Sequence, residues 1–249
     1  MCNNQNNLDY FHTLSESEDS LMNNTISNFK IPPSGVVIVF DKNDYHLSPL
    51  YPNSSIWKNL GNHLNLQEGD GYDDYCPYEI KNIIMSFCFH HMVWLSKRAR
   101  VTSHIDFVWN LSHELRHLEQ DLENRWLSLS GNFLYHNIKR VLIEEESIDV
   151  TIPTELDAEL YAWRITRKIF GNSVVDQYVQ NRCKYNRRQR SFQMLCHHDP
   201  DIQYDVCGKT ISLLHKYESP LNKIIDDDDD DENPPKLKSI YYMCSMLLK

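Results

Sequence analysis

The residues best suited to chemistry lie near the middle of the chain, where His113-Glu114-Leu115-Arg116-His117 form an H-E-x-x-H motif. Residues four apart share one face of a helix, so both imidazoles could offer a nitrogen to a single zinc ion. Glu114 could then act as general base toward a water molecule at the open position of that ion. The motif predicts two metal ligands and a base, and it requires a third ligand from elsewhere in the chain.

The stretch 107–126 must position this motif, and its apolar residues recur with the period of a helix. One narrow stripe, which should be buried, holds Leu111, Leu115, Leu118, Leu122, Trp126 and Leu129. A second stripe, away from the leucines, holds His113, His117, Gln120 and Asn124. Glu114 lies between the two stripes. We predict a helix from Ile105 to Ser130 that ends at Gly131.

A second helix is predicted over residues 153–170, since Pro153 and Thr154 are typical of a helix start and Gly171 of a helix end. One face of this helix aligns Glu155, Glu159, Ala162 and Thr166, whereas Asp157 is on the opposite side. Two carboxylates one turn apart beside a small alanine could supply one metal ligand and one hydrogen-bond acceptor for a ligating histidine.

The two helices together resemble the gluzincin metallopeptidases over residues 107–170. Residues 155–162, ELDAELYA, are similar to the E-x-E-A-N/D-x-F-A helix of ImmA/IrrE-type metallopeptidases. The resemblance implies a zinc-dependent peptidase in which His113, His117 and Glu155 hold one Zn²⁺ ion. It also implies that Glu114 is the catalytic base and that Glu159 accepts a hydrogen bond from a ligating histidine. The fold it implies is a zincin-like metallopeptidase domain with a small sheet.

Some roles have more than one candidate. Glu144, Glu145 and Glu146 are rival third ligands, but an acidic triplet is usually a solvated loop, so Glu155 is preferred. The group that would stabilise an oxyanion stays open among His197, His198 and Tyr204.

Other stretches predict the supporting elements. A β-branched run at 35–40 predicts a buried strand, and residues 52–74 predict a loop with a short helix. Residues 77–100 predict one core helix, in which the adjacent His90 and His91 point in different directions and cannot form a two-ligand face. Further helices are predicted over 173–193 and 205–217.

The helix over 173–193 offers an alternative function. Its segment 182–190 carries five basic residues, Arg182, Lys184, Arg187, Arg188 and Arg190. No nucleic-acid-binding motif accompanies them, so a solvated basic face is preferred and nucleic acid is not an expected partner. The alternative to a peptidase is a catalytically silent zincin-fold module that binds or regulates a partner through residues 182–190.

The composition is that of an ordinary globular protein, with 41% hydrophobic and 24% charged residues, and the low glycine count of 7 favours a predominantly helical α+β fold. Neither a membrane span nor a secretion signal is expected, because no run of eighteen apolar residues exists and the first residues lack an apolar h-region. Seven cysteines without a C-x-x-C pair are typical of reduced thiols, which predicts a cytoplasmic protein. A protein delivered into a host cell would have the same composition.

The chain is expected to contain four segments. Residues 1–30 are predicted to be a disordered arm rich in Asn and Ser, and residues 31–225 the metallopeptidase domain. Residues 226–236 are predicted to be an acidic linker or loop, and residues 237–249 a C-terminal segment that docks on the core. The expected partner is a peptide or protein substrate.

Overall fold

A computed structural model describes residues 14–40, 61–65, 90–142, 152–185, 195 and 197–217. Over these ranges the elements are α1 (Glu16–Ile26), β1 (Val37–Phe40), β2 (Gly61–Asn65), β3 (His91–Leu95), α2 (Lys97–Val101), α3 (His104–Glu123), α4 (Arg125–Leu142), α5 (Pro153–Phe170), α6 (Asn172–Tyr185) and α7 (Val206–Lys216). The predicted α+β class with helices predominating is confirmed.

The chain divides into two compact units. The first comprises Met1–Glu119 with Tyr161–Val175, and the second comprises Gln120–Leu160 with Asp176–Lys249. Helices α3 and α5 are each continuous and contribute residues to both units.

The first unit contains a three-stranded sheet of order β1-β3-β2. β1 pairs with β3 in parallel, with Val37 opposite Met92, and β2 pairs with β3 antiparallel, with Gly61 opposite Leu95. All five residues of the central strand β3 are buried. The predicted strand at 35–40 is confirmed as β1.

The core of the first unit lies where α3 meets this sheet. Leu111, Leu115 and Leu118 are fully buried and share one apolar cluster with Val93 and Leu95 of β3. The predicted leucine stripe is therefore confirmed for these three residues. It does not extend to Leu122, which is 42% exposed and lies one turn beyond the last core leucine.

The prediction of one helix over 77–100 is wrong for residues 90–100, and residues 77–89 lie outside the described part of the chain. Residues 91–95 are β3, after which Ser96 accepts a hydrogen bond from the Ala99 N–H at 3.2 Å and begins α2. A short apolar run buried on all sides carries no periodicity that separates a strand from a helix. The expected loop over 52–74 likewise contains β2.

The prediction that the motif helix continues to Ser130 and ends at Gly131 is also wrong. α3 ends at Glu123, and Asn124 accepts a hydrogen bond from the Leu127 N–H at 3.2 Å, as a residue at a helix start does. Gly131 lies inside α4, where a Cβ atom would come within 2.3 Å of the Thr154 side chain. This glycine permits close packing rather than a helix end.

The structure differs from the expected disorder over residues 1–30, because Glu16–Ile26 form α1. Ser15 and Glu18 form a reciprocal capping box at its start. Glu18 also pairs with Arg100 of α2 at 3.0 Å, and the Lys30 N–H donates to Glu119 at 2.8 Å. A polar composition therefore did not prevent this segment from docking. Residues 1–13 lie outside the described part of the chain.

Helix bounds elsewhere agree with the sequence. α5 spans Pro153–Phe170 as predicted and is followed by Gly171 with a φ of 90°. In the second unit α7 starts after Asp205, which accepts a hydrogen bond from the Gly208 N–H at 3.0 Å. α6 ends at Tyr185, and the rest of the helix predicted over 173–193, together with segments 226–236 and 237–249, lies outside the described residues.

Of the helices that the structure describes, none is long and apolar enough to cross a membrane.

Candidate metal centre

Helix α3 brings the two motif histidines together on one face. The Nε2 atoms of His113 and His117 are 3.0 Å apart, and their rings meet edge to face with centroids 4.7 Å apart. Two nitrogens that each lie about 2.0–2.1 Å from one tetrahedral zinc ion are about 3.3 Å from each other. The two imidazoles are half-buried and therefore fit a shared metal ion in type, spacing and accessibility.

Glu114 is buried and lies against the edge strand β2. An ideal Cβ atom on Gly61 would be 2.8 Å from both Cγ and Oε1 of Glu114, and also 2.8 Å from the Leu95 side chain. The absence of a side chain at position 61 therefore provides the space that Glu114 occupies. Sequence reasoning missed Gly61, because residues 52–74 carried no strand pattern.

The expected third ligand, Glu155, is near the start of α5. Glu155 lies in the first turn of that helix and is half-buried. One ligand atom from each of His113, His117 and Glu155 lies within 4.8 Å of the others, so these three side chains could hold a metal ion. Glu159 is half-buried one turn further along, and its assignment as an acceptor for a ligating histidine stays a prediction. The rival residues Glu144, Glu145 and Glu146 lie outside the described part of the chain.

The pairing of α3 with α5 is held by contacts inside each unit. In the second unit the buried Gln120 amide donates to the Thr154 carbonyl at 2.9 Å and to the Asp157 carboxylate at 2.8 Å. In the first unit the Arg116 guanidinium lies 4.9 Å from the Tyr161 ring centroid and pairs with Glu119 at 3.0 Å. Gln120 of α3 is thus hydrogen-bonded to the first turns of α5, and Arg116 contacts the ring of Tyr161 further along that helix.

The position of Asp157 on the predicted helix did not indicate that it contacts α3. The sequence pattern placed it opposite Glu155, yet its side chain is buried and accepts the Gln120 hydrogen bond. Burial, together with the negative charges of Asp157 and Asp205, raises the pKa of Tyr204 to about 12. The phenol therefore stays protonated at neutral pH and can donate a hydrogen bond.

Tyr204 and His198, two of the three oxyanion candidates, lie together. Their rings meet edge to face with centroids 6.1 Å apart, whereas His197 is exposed. The choice among these three residues stays a prediction.

Comparisons with known proteins do not identify a family for this chain. No family model matches the chain, and neither the curated proteins nor the solved structures gave a match. The functional interpretation therefore depends on the geometry of the residues themselves.

Proposed function

We propose that this protein is a zinc-dependent peptidase that hydrolyses a peptide bond. The observation that carries the proposal is that one ligand atom from each of His113, His117 and Glu155 lies within 4.8 Å of the others. Three ligands of this kind leave a zinc ion with an open coordination position, which is the arrangement of catalytic rather than structural zinc sites. Two neutral imidazoles and one carboxylate would also leave a net positive charge on the ion.

Glu114 has the position that a general base requires. It follows His113 directly on α3, so its carboxylate would be beside an ion held by His113 and His117 without replacing either histidine. When bound, the zinc ion would polarise the scissile carbonyl and acidify the attacking water. Glu114 takes a proton from that water as its oxygen adds to the carbonyl carbon, and gives it to the leaving amine as the C–N bond breaks.

Burial of Glu114 supports this role. The residue is only 7% exposed, and its side chain lies against Gly61. A largely dry environment strengthens the electrostatic interactions of a charged group and limits competing water.

The test combines zinc content with peptide cleavage. Purified His113→Ala should lose one equivalent of zinc and all cleavage of a broad peptide library. Glu114→Gln should keep its zinc and lose cleavage by at least about 100-fold, because only the proton transfer is removed. His104→Ala, an exposed histidine at the start of the same helix, is the matched control and should change neither quantity.

Two results would contradict the proposal. If His113→Ala leaves the zinc content unchanged, the proposed metal site is wrong. Zinc binding at His113 without cleavage of any peptide would instead favour the silent regulatory module with residues 182–190 as its contact surface.

A further inference from the structure

A second histidine pair lies on the sheet, apart from the H-E-x-x-H motif. His63 of β2 and His91 of β3 approach with His63 Nε2 and His91 Nδ1 at 3.1 Å, and their rings stack with centroids 5.4 Å apart. His91 is 5% exposed and His63 is half-buried. The strand register explains the pairing, because His63 is opposite Val93 and Asn65 is opposite His91. Both imidazoles therefore lie on one face of the sheet.

This face of the sheet is the one that looks toward α3. Gly61 and Leu95 share it with the two histidines, and Gly61 lies against the Glu114 side chain. Asp121 follows Glu114 by seven residues, or two helical turns, so it lies on the same side of α3.

Asp121 supplies the missing acidic group. One ligand atom from each of His63, His91 and Asp121 lies within 4.8 Å of the others. Asp121 is only 5% exposed, and its carboxylate forms an ion pair with the Arg125 guanidinium. A carboxylate has two oxygens, so an ion pair with Arg125 through Oδ1 is compatible with a metal ligand role for the same side chain.

We propose that His63, His91 and Asp121 form a second site for a divalent transition metal such as Zn²⁺, with no ligand in common with the first site. Imidazole and carboxylate donors are those that zinc binds, and three ligands leave one position for water or another group. The separation of the two imidazole nitrogens is close to the value of about 3.3 Å expected for two ligands of one tetrahedral zinc ion. This proposal does not depend on peptidase activity.

The competing explanation is a histidine pair joined by a hydrogen bond. A separation of 3.1 Å also fits an N–H donor on one ring and an acceptor nitrogen on the other. The two explanations differ in metal content, because the hydrogen-bonded pair would bind no ion.

The experiment measures zinc per chain by mass spectrometry of the metal after dialysis of the full chain against zinc and then zinc-free buffer. Wild type should retain two equivalents. His63→Ala, His91→Ala and His113→Ala should each retain one, and His63→Ala combined with His113→Ala should retain none. His104→Ala and His215→Ala, both at exposed positions, should retain two.

The design separates misfolding and failure of the first site from failure of this one. Circular dichroism identifies variants that do not fold, and His63→Gln removes the ligand at the half-buried position with little change in volume. If the wild-type protein retains one equivalent of zinc and His63→Gln retains the same amount, the second site is overturned, whether or not the protein cleaves peptides. Two equivalents that both survive His63→Gln and His91→Ala would overturn it as well.

Discussion

At the scale of single residues, the candidate site depends on how closely β2 approaches α3. Glu114 has room for its carboxylate only because position 61 is glycine, since a Cβ atom there would be 2.8 Å from two of its atoms. Such a Cβ atom would also be 2.8 Å from the Leu95 side chain, so its neighbours would have to shift. The orientation of the proposed base is therefore determined partly by a residue on another element.

Gly61→Ala should reduce peptide cleavage by up to about 100-fold while zinc content stays unchanged, because a displacement of about 1 Å at a reacting group has an effect of that size. Steady-state cleavage rates and metal analysis on the same preparation provide the measurement. In a Glu114→Gln background the same substitution should cause no further loss. A comparable loss in that background would mean that Gly61 acts on stability and not on Glu114.

Tyr204 predicts a pH dependence. Its pKa is raised from 10.0 to about 12 in the folded state, so between these values the folded protein holds the phenolic proton more tightly than the unfolded chain does. The resulting stabilisation is complete below pH 10 and is lost as the pH rises toward 12. Tyr204→Phe should therefore make the decline of the free energy of unfolding between pH 10 and pH 12 shallower than in wild type. Equal slopes for the two proteins in urea titrations would argue against this environment.

At the scale of secondary-structure elements, Gly131 shows how packing can outweigh helix propensity. Alanine in the middle of a helix is normally more favourable than glycine by about 0.5–1 kcal/mol. A Cβ atom at 131 would, however, lie 2.3 Å from Oγ1 and 2.6 Å from Cγ2 of Thr154. Thr154 has little freedom to move, because it is buried and its carbonyl accepts the Gln120 hydrogen bond.

Gly131→Ala should therefore lower the free energy of unfolding by about 1–3 kcal/mol, as overpacking of a core does. Chemical denaturation gives the value. The double variant with Thr154→Ala should recover part of the loss, because it removes the two closest atoms, Oγ1 and Cγ2, while Cβ stays at 2.9 Å. A Gly131→Ala protein more stable than wild type would show that propensity decides at this position.

The elements differ in how far the sequence determines them. α5 and α7 were predictable because capping residues and helical periodicity occur together at their ends. β3 was not, because His91–Leu95 is buried on all sides and such a run has neither the period of a strand nor that of a helix. The break at Asn124 was missed because the apolar period continues from α3 into α4.

The same difference applies to the candidate site. Local spacing along one helix predicted the approach of His113 to His117, now seen at 3.0 Å. The contacts of Gly61 with Glu114 and of Gln120 with Asp157 join residues distant in sequence, and no local pattern contains that information. His63 and His91 are of the latter kind, since only the register of β2 on β3 brings them together.

At the scale of the whole molecule, the N-terminal residues are part of the fold of the first unit. Arg100 and Glu18 form an ion pair in which their side chains are only 5% and 15% exposed. A largely buried charge interaction therefore holds α1 on the first unit. Removal of one member of such a pair leaves the other buried and uncompensated.

Glu18→Gln should therefore lower the free energy of unfolding by about 1–3 kcal/mol, since it weakens both the ion pair and the capping box. Glu16→Gln is the matched control, because Glu16 is an exposed acid in the first turn of the same helix. It should change stability by no more than about 0.5 kcal/mol. Equal effects of the two variants would indicate that α1 responds to net charge alone.

Anomalous diffraction at the zinc edge, from crystals soaked in zinc, would locate a metal ion at His113 and His117. We expect a peak about 2.0–2.2 Å from Nε2 of His113, from Nε2 of His117 and from a carboxylate oxygen of Glu155. A zinc-soaked crystal with no peak at the two histidines, or with the Glu155 carboxylate turned away and no other acid in its place, would contradict it.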